Sequence, residues 1–227
     1  MQTIYLRFSH LNKMRPILIY CYDAYCCWCY GFSPILSKLE RIYEQILDFE
    51  VVSGGMILPQ NPLHISIMAS FFAETSKAVE ETTGVKFGKD FLWHIENPAD
   101  SDWFPNSEKP AIAMCIFRQY HPNQAIAFAA DLQYALFFEG RDLCDNEAYR
   151  HLLDKYHIPA EEFYTRLKQK EYTDQAREEF ALCRQLKVTG FPALFLQTSG
   201  SKIYELTNGY TDYDTIVKRL EEVKELL

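Results

Sequence analysis

The chain has 227 residues, 48% of them apolar and 24% charged, with a formal net charge of −8. A chain of that length buries about 70% of the surface its unfolded form exposes, so one domain with an insertion, or two small ones, needs no disulfide staples. The acidic balance argues against nucleic acid or an anionic membrane as the main partner, and no run of about 18 apolar residues is present to span a bilayer.

The first residues, MQTIYLRFSHLNKMRPILIY, lack the basic start, apolar core and small-residue cleavage site of a secretory signal, which predicts a cytoplasmic protein. Met14 stands just ahead of the first strand-like run, raising the hypothesis that residues 1–13 are a start-site artefact or a loose arm. Residues 16–22, PILIYCY, are rich in β-formers and predict a buried strand. After Cys26 the period changes. Trp28, Phe32, Ile35, Leu36, Leu39, Ile42, Tyr43 and Ile46 recur at spacings of three and four, the stripe of an amphipathic helix. Pro34, in its second turn, is a candidate kink. Phe49–Ser53 predicts a second strand, ended by Gly54-Gly55, and completes a right-handed βαβ unit.

From about 62 to 170 no convincing strand is visible. Helices are predicted over roughly 62–82, 86–95, 108–120, 123–139, 145–156 and 160–170, with Pro62, Pro122 and Pro159 marking starts and Gly84 and Gly140 marking stops. A further helix, about 172–187, carries Tyr172, Ala176, Phe180 and Cys183 on one stripe. Ala193–Gln197 and Lys202–Leu206 predict two short strands around the turn Thr198–Ser201. A last helix starts at Thr211, with Asp214 as its capping-box partner and Ile216, Val217, Leu220 and Val223 on its buried face. The β-structure thus sits at the two ends. One sheet domain is predicted, made of 1–61 and 171–227 and split by an α-helical insertion over 62–170.

Seven cysteines stand at 21, 26, 27, 29, 115, 144 and 183, four of them within nine residues. An odd, scattered set without an export signal is not a structural disulfide framework. Cys26 and Cys29 lie three apart at the first turn of a helix that follows a strand, where two thiols approach closely enough to bond. Unpaired amides and partial positive charge at a helix N-terminus favour the thiolate of a cysteine placed there. Cys26 is therefore the expected exposed attacker, and Cys29, one turn inside, the resolver of the mixed disulfide. The same spacing serves zinc, but neither a second cysteine pair nor a histidine pair accompanies it, so no metal is expected. Far along the chain, Val188-Thr-Gly-Phe-Pro192 puts a proline at a strand entrance; a helix stop and a cis position both fit.

Together these segments resemble the DsbA-like family of thioredoxin-fold proteins, in particular its cytoplasmic FrnE-like relatives. The likeness rests on Cys26-Cys-Trp-Cys-Tyr-Gly31 after a strand ending at Asp23, and on the Val188–Pro192 loop. Gly54-Gly55-Met56, Thr83-Gly84, Phe87-Gly88 and the segment Phe138–Asp142 add to it. The resemblance implies an α/β thioredoxin fold, a mixed central sheet interrupted by an all-helical insertion. It implies thiol–disulfide oxidoreductase activity of the protein disulfide oxidase, reductase or isomerase type, with Cys26 and Cys29 catalytic. It also implies that Pro192 is cis and faces that pair, and that Trp28, Phe191 and Pro192 form the substrate-binding surface, where an extended segment docks by strand addition. The redox-active disulfide replaces any cofactor, with glutathione as a candidate co-substrate. Implied partners are protein or small-molecule disulfides and thiols, and a reductase or glutathione.

One departure stands out: Cys27 occupies the position that is usually Gly or Pro in those relatives. A vicinal Cys26–Cys27 bond would be strained, so Cys26–Cys29 is the expected pair. Cys27 is a spectator or a competitor, and with Gly190 a candidate modulator. Cys21 and Cys183 read as packed thiols, while Cys115 and Cys144 are too isolated to interpret. His64 and His94 are candidates to stabilise a thiolate from above or plain helix-end histidines. Trp93, Trp103, Phe71, Phe72 and Phe104 either line a docking surface or pack the helical core. Two other functions compete. One is a glutathione-dependent isomerase or transferase, as in hydroxychromene-carboxylate isomerases and kappa glutathione transferases, disfavoured by the retention of both cysteines. The other is a binding or chaperone-like module that uses the helical block as a cleft.

Overall fold

In the computed structural model, residues 15–58, 62–198 and 202–225 are described; residues 1–13, and 199–201 of the turn expected over Thr198–Ser201, lie outside them. The run ILIYCY forms strand β1 (Ile17–Tyr22), which pairs in parallel with β2 (Asp48–Ser53) and antiparallel with β3 (Ala193–Gln197). Strand β4 (Ile203–Asn208) pairs antiparallel with β3, giving a mixed sheet in the order β2-β1-β3-β4.

Both faces of β1 are covered, which is why its sequence is apolar throughout instead of alternating. Leu18, Tyr20 and Tyr22 face the main core with helix α1 (Cys27–Tyr43) and helix α9 (Tyr213–Glu225). Ile19 and Cys21 face the opposite way, joining Val52, Ala193 and Phe195 beneath helix α8 (Lys170–Gln185). Helices α2 (Ala69–Thr83), α3 (Lys89–Glu96), α4 (Glu108–Tyr120), α5 (Ala125–Phe137), α6 (Arg150–Lys155) and α7 (Ala160–Arg166) intervene between β2 and α8. Their buried side chains belong to the same continuous cluster as α1 and the sheet.

The expected elements occur, with edges moved by local chemistry. The stretch 62–82 is a single 3-10 turn, Ile65–Ile67, followed by α2; the His64 ring, accepting from the Ser66 amide at 3.3 Å, caps the turn separately. The predicted helix over 160–170 stops at Arg166, and α8 starts early, at Lys170. The last helix is capped by Asp212, not Thr211: its carboxylate accepts from the Thr215 amide at 2.9 Å and hydroxyl at 2.7 Å. Helix α1 runs unbroken through Pro34, while Ile42 and Ile46, counted on its apolar stripe, are half exposed.

Gly88 is needed for a close approach. A β-carbon there would meet the Phe138 carbonyl oxygen at 1.7 Å, so the Phe87-Gly88 turn and the Phe138–Asp142 segment, far apart in sequence, press backbone to backbone. The Gly88 amide donates to the Phe137 carbonyl at 2.8 Å across that contact.

Candidate active site

The turn from β1 into α1 is built on Asp23. Its carboxylate accepts from the amides of Tyr25 (3.0 Å) and Met56 (2.7 Å) and from the Ser107 hydroxyl (2.8 Å), and its carbonyl accepts from the Cys26 amide (3.1 Å). Such an Asx-type turn hands the chain directly to a helix start. Asp23 is 2% exposed, and burial raises its carboxyl above the usual range against the opposing pull of those donors.

Cys26 is the N-cap of α1, and its sulfur accepts from the Cys29 amide at 3.3 Å. The same thiol donates to the Phe191 carbonyl at 3.4 Å. The Phe191–Pro192 peptide is cis. Val188–Pro192 and the cysteine turn, about 160 residues apart in sequence, therefore meet at one sulfur atom. Cys26 is less open than its expected role suggests, with 6% exposure, but it is the most open of the cluster: Cys27 has 2% and Cys29 none. Burial drives the Cys29 thiol well up, reinforced by the Cys26 sulfur beside it, and burial does the same to Cys27.

Two supports hold the turn and the loop in place. The buried Gln133 of α5 donates to the carbonyls of Asp23 (3.2 Å) and Cys26 (3.4 Å) and accepts from the Ser33 hydroxyl (3.2 Å). At the end of β4, the Asn208 side chain accepts from the amides of Thr189 (3.0 Å) and Gly190 (3.1 Å) and donates to the Lys187 carbonyl (3.3 Å). The Phe191 ring rests on Gly54, where a β-carbon would come within 2.1 Å of it. Trp28 packs its ring on Tyr210, with centroids 5.2 Å apart, and stays partly open beside Cys26 in sequence.

The remaining candidates fall outside this constellation. His64 reaches the Ser101 carbonyl (2.7 Å) and His94 the Ser101 hydroxyl (2.8 Å), the latter stacked on Trp103 at 3.9 Å. Phe72 and Trp103 are buried, whereas Phe71, Trp93 and Phe104 are exposed. Cys21 and Cys183 pack behind the sheet, thiol against thiol. Cys115 lies beside Arg118, and Cys144 meets the Tyr25 hydroxyl at 3.4 Å. Among the described residues, no group of three or more His, Cys, Asp or Glu side chains could hold a metal ion, and no helix is long and apolar enough to cross a membrane.

Sequence reasoning missed Gln133, Ser107 and Asn208 as parts of the site. Gln133 had a signal, as a polar side chain inside the apolar helix AIAFAADLQYALF. Ser107 and Asn208 had none.

The DSBA-like thioredoxin domain model matches residues 17–221. No curated protein sequence matches the chain. A candidate protein disulfide isomerase from Nitrosomonas europaea superposes with a TM-score of 0.81 at 23% identity, covering 94% of this chain and 99% of that one. The cytosolic disulfide reductase DsbM from Pseudomonas aeruginosa gives 0.76 at 24% identity, covering 93% and 100%, and is also known with glutathione. A 2-hydroxychromene-2-carboxylate isomerase gives 0.63 at 15% identity, covering 92% and 95%.

Proposed function

This chain belongs to the DSBA-like thioredoxin family, and we propose that it is a thiol–disulfide oxidoreductase working through Cys26 and Cys29. The observation that carries this reading is the Cys26 sulfur, held between the Cys29 amide and the Phe191 carbonyl at the mouth of a helix. The Cys26 thiolate attacks a substrate disulfide, one half leaves as a thiol, and a mixed disulfide remains. Cys29 then attacks the Cys26 sulfur, closing the Cys26–Cys29 bond and releasing the second half as a thiol. The backbone around Phe191 and the rings of Trp28 and Phe191 form the docking surface, and main-chain pairing there accepts many sequences. Cys27, buried and hard to ionise, is a spectator.

Glutathione is the proposed regenerating thiol and the cytosol the proposed location, as for the cytosolic Pseudomonas reductase known with glutathione. Cys26→Ala is expected to abolish turnover of insulin or oxidised glutathione. Cys29→Ala is expected to accumulate a mixed disulfide at Cys26, read by mass spectrometry. Full turnover in Cys26→Ala would sink the proposal. The likeness to the carboxylate isomerase supports a second reading, glutathione-dependent isomerisation; a tightly bound glutathione with no thiol change during turnover would favour it.

A further inference from the structure

We propose that the Tyr20 hydroxyl is a catalytic hydrogen-bond donor to the Cys29 sulfur, stabilising the charge that Cys29 acquires when it resolves the mixed disulfide. The proposal deepens the oxidoreductase reading and rests on it.

Tyr20 is 1% exposed at the middle of β1, its ring fixed against Tyr22 (5.5 Å) and Phe32 (6.0 Å). Its hydroxyl makes no well-formed hydrogen bond, an unusual state for a buried polar atom. The polar side chain it lies against is the Cys29 thiol. An unsatisfied buried donor beside a reacting sulfur is poised for a charge that appears only during reaction, which is the property that lowers a barrier.

The surroundings of Cys29 make this donor matter. Its side chain is fully buried. From the turn, the Asp23 backbone amide faces it; from α1, the Cys26 sulfur; from β1, Tyr20 and, at longer range, Tyr22. The Asp23 carboxylate is engaged by Tyr25, Met56 and Ser107. Burial and the neighbouring sulfurs push ionisation of Tyr20 well above its ordinary value, so it keeps its proton and acts as a donor, not a base. The step balances without it: the Cys29 thiol and the Cys26–S–S–R disulfide become the Cys26–Cys29 disulfide and R–SH. The sulfur–sulfur bond between Cys26 and the substrate breaks, its electron pair leaves on the substrate sulfur, and the Cys29 proton ends on that sulfur.

The test is Tyr20→Phe, mixed with oxidised glutathione at about pH 6 to about pH 9, acid-quenched and read by mass spectrometry. Formation of the Cys26–glutathione adduct should change less than about twofold, while release of glutathione by Cys29 slows about tenfold at neutral pH, its midpoint moving up by about one unit. Superposable release profiles overturn the proposal, as does equal slowing of both steps. Should Tyr20→Phe fail to fold, 3-fluorotyrosine at position 20, a stronger donor of the same shape, is expected to move the midpoint down; no movement overturns the proposal. If wild type forms no adduct at Cys26, the oxidoreductase reading fails instead. Titration of the Cys29 β-carbon NMR shift then decides on Tyr20 without turnover: a higher midpoint in Tyr20→Phe supports it, and coincident curves overturn it.

Discussion

At the scale of single residues, Asp23 does more than end a strand. Three donors converge on its buried carboxylate, so the group is satisfied yet still harder to ionise than in water. Its raised folded-state value means that the folded chain holds the proton more tightly than the unfolded one. Stability from this group is therefore full below the unfolded value of about 4 and is lost as pH rises through the higher folded value. Asp23→Asn removes that slope and places an amide donor opposite the donors of Tyr25, Met56 or Ser107, which costs about 1–3 kcal/mol. Urea unfolding of both proteins across mildly acidic pH checks this: parallel curves would show that Asp23 does not titrate as its burial implies. The motif Cys26-x-x-Cys29 marked the candidate thiols, but nothing in it pointed to Asp23 as the keystone of their turn.

Among elements, the contact that shapes the site is α5 against the start of α1. Gln133 ties the carbonyls of Asp23 and Cys26 to the Ser33 hydroxyl, so a helix from the middle of the chain fixes a turn near its beginning. Gln133→Leu keeps the volume and removes three hydrogen bonds from groups that each keep one other partner, for a loss of about 1–3 kcal/mol. Its melting temperature should fall, and cleavage by protease in the Asp23–Cys26 turn should rise. An unchanged melting temperature would show the clamp to be idle. Periodicity found α5 readily, since its apolar residues dominate; the one polar contact that matters ran against the pattern. The α8 stripe of Tyr172, Ala176, Phe180 and Cys183 is buried as its spacing indicated, because a helix lying flat on a sheet reports its inner face in sequence.

For the whole molecule, Arg118 of α4 joins the helical block to the sheet. It pairs with Glu50 of β2 (3.0 Å) and with Glu179 of α8, and donates to the Val51 carbonyl (3.0 Å). Glu179 in turn accepts from the Ser53 amide at 2.8 Å. Arg118→Met takes the cation from two partly buried carboxylates and should cost about 2–3 kcal/mol, more than exchanging the whole cluster for neutral groups. Denaturant unfolding of Arg118→Met with and without Glu50→Gln and Glu179→Gln measures the difference. Equal stability of the single and triple variants would contradict it. Charge pairs of this kind were invisible beforehand, since Arg118, Glu50 and Glu179 share no sequence pattern.

By itself the sequence determined the elements, their order, the split of the sheet between the chain ends, the cysteine pair at a helix start and the proline loop. Those features are local: period, turn residues and helix ends depend on neighbours a few positions away. Only the tertiary structure decided which strand face each helix covers and which sulfur meets the Phe191 carbonyl. It also decided that Gln133, Ser107 and Asn208 support the cysteine turn and the proline loop. Such contacts join residues up to 165 positions apart, and they are set by packing in three dimensions, for which a linear pattern carries no signal.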